Sequence, residues 1–211
     1  MIRSSQIMTR SQIPMQSRER VRENSRQSKR IEKLLRRLFI EIGENPDREG
    51  LRGTPARMIE MYKEIFAGYR MDAELDVSFT DTTDVIIAKD IQFYSMCEHH
   101  MLPFFGRIHI AYIPDGKVFG ISKLARLVEK YSRRMQIQER LTEEIAEEIN
   151  KSGARGILVI VEAQHLCVKM RGVRDGSMTI TVSHRGVMEQ KELREHIFSL
   201  VYSSKPELRS I

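Results

Sequence analysis

Apolar residues first recur at helical spacing in Ile31, Leu34, Leu35, Leu38, Phe39 and Ile42, which predicts an amphipathic helix over residues 30–43 that stops at Gly43. The polar run Asn45-Pro46-Asp47-Arg48-Glu49-Gly50 reads as loop. Thr54 as N-cap and Pro55 at the first helical position open a second helix, whose stripe is Met58, Met61, Tyr62, Ile65 and Phe66. From Asp84 the period shortens to two. Residues 85–88 and 91–94 read as strands, and residues 104–113 as a longer one with Ile108, Ile110 and Tyr112 on one face. Asp115-Gly116 signals a hairpin returning through Val118-Phe119. Two helices follow, one capped by Ser122 and running to Arg133, the other over residues 138–150 and closed by Ser152-Gly153. Strands at 156–162 and 178–183 precede a last helix at 189–202. This order predicts an α+β fold, an antiparallel sheet with helices on one face, behind an N-terminal helical part. The expected divisions are a poorly ordered basic tail at 1–27, a helical part at 28–75 and a catalytic domain at 76–211.

Charge changes the picture only at one end. The 211 residues carry a net +6, yet residues 1–37 hold eleven Lys or Arg against three Glu, leaving the other 174 at −2. The basic character belongs to the tail and first helix, so nucleic acid is not the expected partner of the body. A 41% share of hydrophobic residues supports a core. No apolar run approaches the ~20 residues of a membrane span, and no signal-type stretch opens the chain, so the expected location is cytoplasmic.

The two cysteines, Cys97 and Cys167, lie among histidines. In Cys97-Glu98-His99-His100, the first and last residues are spaced so that one turn could aim both at a single ion. Thiolate and imidazole are preferred zinc ligands. A lone Cys-x-x-His is common without metal; the second thiol, in His165-Leu166-Cys167 at the end of a predicted strand, strengthens the reading. Two thiols and one imidazole leave a fourth position open to water, although His99 or His165 could also fill it. Those two histidines otherwise suit proton transfer near neutral pH. His109, His184 and His196 lack such company and read as structural. Lys123 and Arg126, near a helix start, and Arg171 beyond the second thiol could clamp a phosphate tail, or could be solvated surface charge.

Beyond these local readings, Cys97-Glu98-His99-His100-Met101-Leu102-Pro103-Phe104-Phe105-Gly106 resembles the signature of the GTP cyclohydrolase I family. So do Ala111-Tyr112-Ile113-Pro114, Gly120-Ile121-Ser122-Lys123-Leu124-Ala125-Arg126, Gln136-Ile137-Gln138-Glu139-Arg140-Leu141-Thr142 and His165-Leu166-Cys167-Val168-Lys169-Met170-Arg171-Gly172. Residues 43–51 and Thr54-Pro55-Ala56-Arg57 are similar to the family's helical part, so the likeness runs in order from about Ile31 to Gly186. Met101, Ile121 and Met188 depart from the usual pattern, none at a site position.

The resemblance implies a tunnelling fold whose subunit sheets join into a barrel. It implies a toroidal homodecamer with active sites at subunit boundaries. It also implies hydrolysis and rearrangement of GTP to 7,8-dihydroneopterin triphosphate and formate, the first step towards folate and pterin cofactors. Carried over by position, Cys97, His100 and Cys167 would bind Zn2+, and His99 and His165 would serve as acid–base groups while a metal-activated water attacks C8 of guanine. Ser122 would lie near the ribose, and Gln138 and Glu139 in the base pocket. Lys123, Arg126 and Arg171, with Arg57 of a neighbouring subunit, would hold the triphosphate. A catalytically silent GTP- or pterin-binding protein is the alternative, and intact His99, His165 and Ser122 argue against it. Pterin synthases of this fold with a three-histidine zinc site, and the fold's relatives in queuosine metabolism, fit two thiols poorly.

Overall fold

The computed structural model describes residues 15–73, 75, 77–80 and 83–203. It divides into two compact units, Met1–Glu64 and Ile65–Ile211.

The first unit holds α1 (Met15–Glu41), α2 (Glu49–Arg52) and the body of α3 (Thr54–Ile65). Helix α1 begins far upstream of the predicted residue 30, so residues 15–27, expected in a poorly ordered tail, are helical. Residues 1–14 of that expected tail lie outside the described residues. The extension has a simple cause. Residues 15–29 contain no Gly or Pro and are rich in Gln, Arg and Glu, so a helix nucleated downstream can propagate through them. At its other end Gly43 takes φ +88, and the Glu44 N–H reaches the Phe39 carbonyl at 2.8 Å, a glycine-terminated helix end. Arg36 then ties the following loop to the helix, donating to the Pro46 carbonyl at 3.3 Å and pairing with Asp47 at 2.6 Å.

The second unit is built on a five-stranded sheet, in the order β5 (Met135–Gln136), β2 (Ile86–Cys97), β3 (Pro103–Ile113), β6 (Gly156–His165) and β7 (Thr179–Gly186). The pairs β2–β3, β3–β6 and β6–β7 are antiparallel, and the short β5 runs parallel to β2. The two strands predicted at 85–88 and 91–94 are one strand. A bulge between Ala88 and Ile91, with Asp90 at φ 60, interrupts its register. His109 pins that bulge by accepting the Asp90 N–H at Nδ1, 3.2 Å away, and Arg107 pairs with the Asp90 carboxylate at 3.0 Å.

Helices α4 (Ile121–Ser132) and α5 (Gln138–Lys151) cover one face. Leu141, Ile145 and Ile149 recur every four residues along α5 and are completely buried with Ile157, Val159 and Val161 of β6. Each such side chain contributes about 1.5–3 kcal/mol by leaving water. The terminal helix α7 (Lys191–Tyr202) departs from the one-face expectation. It packs Ile197 and Val201 against Ala111, Leu158 and Ile160 on the opposite face, because β6 is apolar on both sides along Ile157–Val161.

The predicted hairpin after β3 also differs. Gly116 does take a positive φ of 70, but β4 (Lys117–Phe119) leaves β3 and pairs with β1 (Val77–Thr80) in a separate two-stranded sheet. Both edges of β3 are already occupied, by β2 and β6, so the returning chain has no backbone groups left to pair with there. Tyr112 links the two sheets by accepting the Phe119 N–H at 3.0 Å.

Candidate active site

Both thiols lie at the same end of the sheet because two adjacent strands finish there. Cys97 closes β2, and the five residues from Glu98 to Leu102 turn the chain into β3. The Cys97 N–H donates to Leu102 O at 2.9 Å and the Met101 N–H to Cys97 O at 2.8 Å, with Met101 at φ 52. The turn therefore carries His100 back beside Cys97. Its Nδ1 is 3.9 Å from Cys97 Sγ. His165 ends β6 opposite Phe104 of β3, and the four-residue helix α6 (Leu166–Lys169) immediately follows with Cys167.

The result joins residues almost seventy positions apart: the ligand atoms of Cys97, His100 and Cys167 all lie within 4.8 Å of one another. Tetrahedral zinc with Zn–S near 2.3 Å and Zn–N near 2.1 Å sets ligand separations of about 3.5–3.8 Å, a small contraction from those seen here. Electrostatics point the same way. Burial, together with a hydrogen bond to and charge on Cys97, pushes the Cys167 thiol above its ordinary value. Two adjacent thiols resist joint ionisation unless a cation lies between them. The donor set fits a divalent metal.

The other expected residues divide into three groups. His165 faces the same end of the sheet, its ring stacked on the fully buried Phe104 with centroids 4.8 Å apart and planes at 5°. Burial pulls its imidazole below the ordinary histidine value, with the Glu139 charge acting the other way. His99 is exposed on the turn, 4.0 Å from Glu98. Glu139 is exposed in the first turn of α5.

Gln138, expected in a base pocket, lies at the junction of α5 with the sheet. Its side chain is only 1% exposed and points inward, with its amide already bonded to β6, β7 and His165. The cause is position: as the first residue of α5 it sits where the helix meets the sheet, while its neighbour Glu139 faces out.

The third group is cationic. Ser122 and Lys123 occupy the first turn of α4 and Arg126 the next, Lys123 half-buried and the other two exposed. Ser122 is not the helix cap; Gly120 is, and its carbonyl accepts the Lys123 N–H at 2.8 Å. Arg171 is exposed just beyond α6. Arg57 belongs to the first unit, where it donates to Thr54 Oγ1 at 2.8 Å and the Gly50 carbonyl at 3.2 Å.

One pair escaped the sequence reading. Glu98, inside the Cys-x-x-His turn, binds Arg140 of α5 at 2.6 Å, and its N–H donates to Gln136 O at 3.0 Å. These contacts tether the turn to α5 and β5. The only signal was the charge of the two residues within neighbouring motifs.

A family model described as GTP cyclohydrolase I matches residues 31–202. The chain belongs to the GTP cyclohydrolase I family. A GTP cyclohydrolase 1 of Hyperthermus butylicus is 49% identical over 174 residues, covering 82% of this chain and 90% of that protein. One of Clostridium kluyveri is 47% identical over 178 residues, covering 82% and 96%. Among solved structures, a crystal structure of the archaeosine synthase QueF-Like in the apo form covers 50% of this chain and 97% of its own. Its TM-score is 0.42 and its identity 19%, too distant to add to the assignment. All site residues named above lie inside the matched span.

Proposed function

We propose that this chain is a zinc-dependent GTP cyclohydrolase I, converting GTP and water to 7,8-dihydroneopterin triphosphate and formate at the head of folate and pterin synthesis. The observation that carries the reading is the convergence of Cys97, His100 and Cys167 within 4.8 Å, in a member of this family. These three residues would hold the metal, and a bound zinc supplies the Lewis acidity that makes water nucleophilic near neutral pH.

The remaining roles follow from side-chain chemistry. His165, its ring plane set by Phe104, and His99, next to a ligand in sequence, exchange protons with the imidazole portion of the guanine as it opens. The Glu139 carboxylate can accept two N–H donors from the guanine edge, a pair that adenine does not present. Ser122 would meet the ribose. Lys123, Arg126 and Arg171, with Arg57 of a neighbouring subunit, would hold the triphosphate by charge-assisted hydrogen bonds.

Two features favour a homo-oligomer, taken as ten copies from the family resemblance. Ile31, Leu34 and Leu38 recur along α1 yet are 44–62% exposed, and the edge strand β7 leaves Ile180 and Val182 at 56% and 44%. Apolar stripes of this kind are normally covered by another chain. Among the described residues no helix is long and apolar enough to cross a membrane, and a cytoplasmic location is proposed with the function. In this reading residues 76–211 form the catalytic domain and residues 28–75 the helical part.

The test pairs metal analysis of anaerobically purified protein with a GTP turnover assay. The proposal expects about one zinc per chain and stoichiometric formate and dihydroneopterin triphosphate. GTP binding without product would instead make the chain a silent nucleotide-binding protein.

A further inference from the structure

Both polar atoms of the Gln138 side chain are engaged inside the protein. Its Nε2 lies 3.0 Å from the Val161 carbonyl, 3.0 Å from the Thr179 carbonyl and 3.2 Å from Thr181 Oγ1, while its Oε1 lies 2.7 Å from His165 Nε2. Carbonyl oxygens only accept hydrogen bonds, so the end of the amide facing two of them must be the NH2 group. Both of its hydrogens are thereby committed to β6 and β7. The opposite end is then the oxygen, which can only accept.

The consequence falls on His165. A ring nitrogen 2.7 Å from an obligate acceptor must carry a hydrogen. Thr142, one turn along α5, reinforces the arrangement. It donates its hydroxyl to the Gln138 carbonyl at 2.7 Å and meets Thr181 Oγ1 at 2.6 Å, joining the helix start to the same strand. The stacked Phe104 prevents the ring from tilting away. Position, plane and hydrogen placement are all set from the buried side.

We infer that Gln138 is a positioning residue that holds His165 with its hydrogen on Nε2, leaving Nδ1 as the nitrogen that exchanges protons with substrate. The inference rests on the proposed function for the identity of that substrate, but the tautomer stands on hydrogen-bond geometry alone. It also separates two adjacent residues that the family resemblance placed together: Glu139 addresses the base, and Gln138 addresses the histidine.

Solid-state 15N NMR of sedimented, histidine-labelled protein reads the tautomer directly, with the His165 signals assigned by their loss in His165→Asn. The expected spectrum has a protonated Nε2 and an unprotonated Nδ1 when the ring is neutral; a ring protonated at Nδ1 overturns the inference. Gln138→Met should give a mixture of tautomers and lower kcat on the order of 10²-fold, with KM for GTP changed by no more than about twofold. Gln138→Glu keeps an acceptor but loses both donors. It should melt at lower temperature than the parent, keep the Nε2–H form and recover most of the lost kcat. A raised KM with unchanged kcat in Gln138→Met would show a base contact and overturn the assignment. If either variant fails to fold, the spectrum of the unmodified protein decides. Absence of GTP turnover in the unmodified protein counts against the proposed function, and the tautomer pattern still tests the role of Gln138.

Discussion

The two halves of the candidate site are built in opposite ways. The thiol and imidazole end is anchored from beneath: Cys97 is 5% exposed, Gln138 1%, and the turn after Cys97 is tied to α5 by Glu98 and Arg140. The cationic residues of the second unit are side chains on the surface, with Arg126 and Arg171 exposed on separate elements. The contrast reflects what each chemistry tolerates. Opening a ring needs reacting groups placed to within fractions of an ångström, which only packing and hydrogen bonds can supply. A triphosphate carries charge over many oxygens, and flexible arms can follow it at modest cost.

That contrast can be broken most severely at the ligands. Cys97→Ala or Cys167→Ala should abolish stoichiometric zinc and reduce formate release on the order of 10³-fold or more, with far-UV circular dichroism unchanged. Full activity in Cys167→Ala would remove the basis for the metal centre. A smaller effect is expected from the tether. Arg140→Met should leave zinc bound but weaken it by about 10-fold in competition with a chelator, since the turn that presents both ligands loses one anchor. In the open half, Arg171→Ala should raise KM for GTP by about 10-fold with kcat nearly unchanged, and added salt should narrow the gap between variant and parent. An effect on kcat larger than that on KM would mean that the cationic half is as rigidly built as the other. The smallest change belongs to His196, exposed on α7 and remote in the chain from both halves; His196→Gln should alter stability by no more than about 0.5 kcal/mol and leave turnover as it was.

Much of this molecule was legible along the chain. Helix α5 falls within a residue of its expected limits and α4 within two, because a period of 3.6 and the residues that start and stop a helix are local signals. The Cys97–His100 spacing is equally local, and the order of family motifs extended it to Cys167. The upstream reach of α1 was missed because residues 15–29 have helical propensity without an apolar stripe to reveal it.

What the amino-acid order determined by itself, then, was the alternation of elements, the family and the inventory of thiols, imidazoles and cations. Only the folded chain decided that β4 abandons β3 for β1, that two separated strands are one bulged strand, and that of the adjacent Gln138 and Glu139 the first is buried against His165 and the second exposed. Each of those outcomes depends on which backbone edge or carbonyl is still unpaired once distant segments have packed. That is a property of neighbours in space, to which spacing along the sequence is blind.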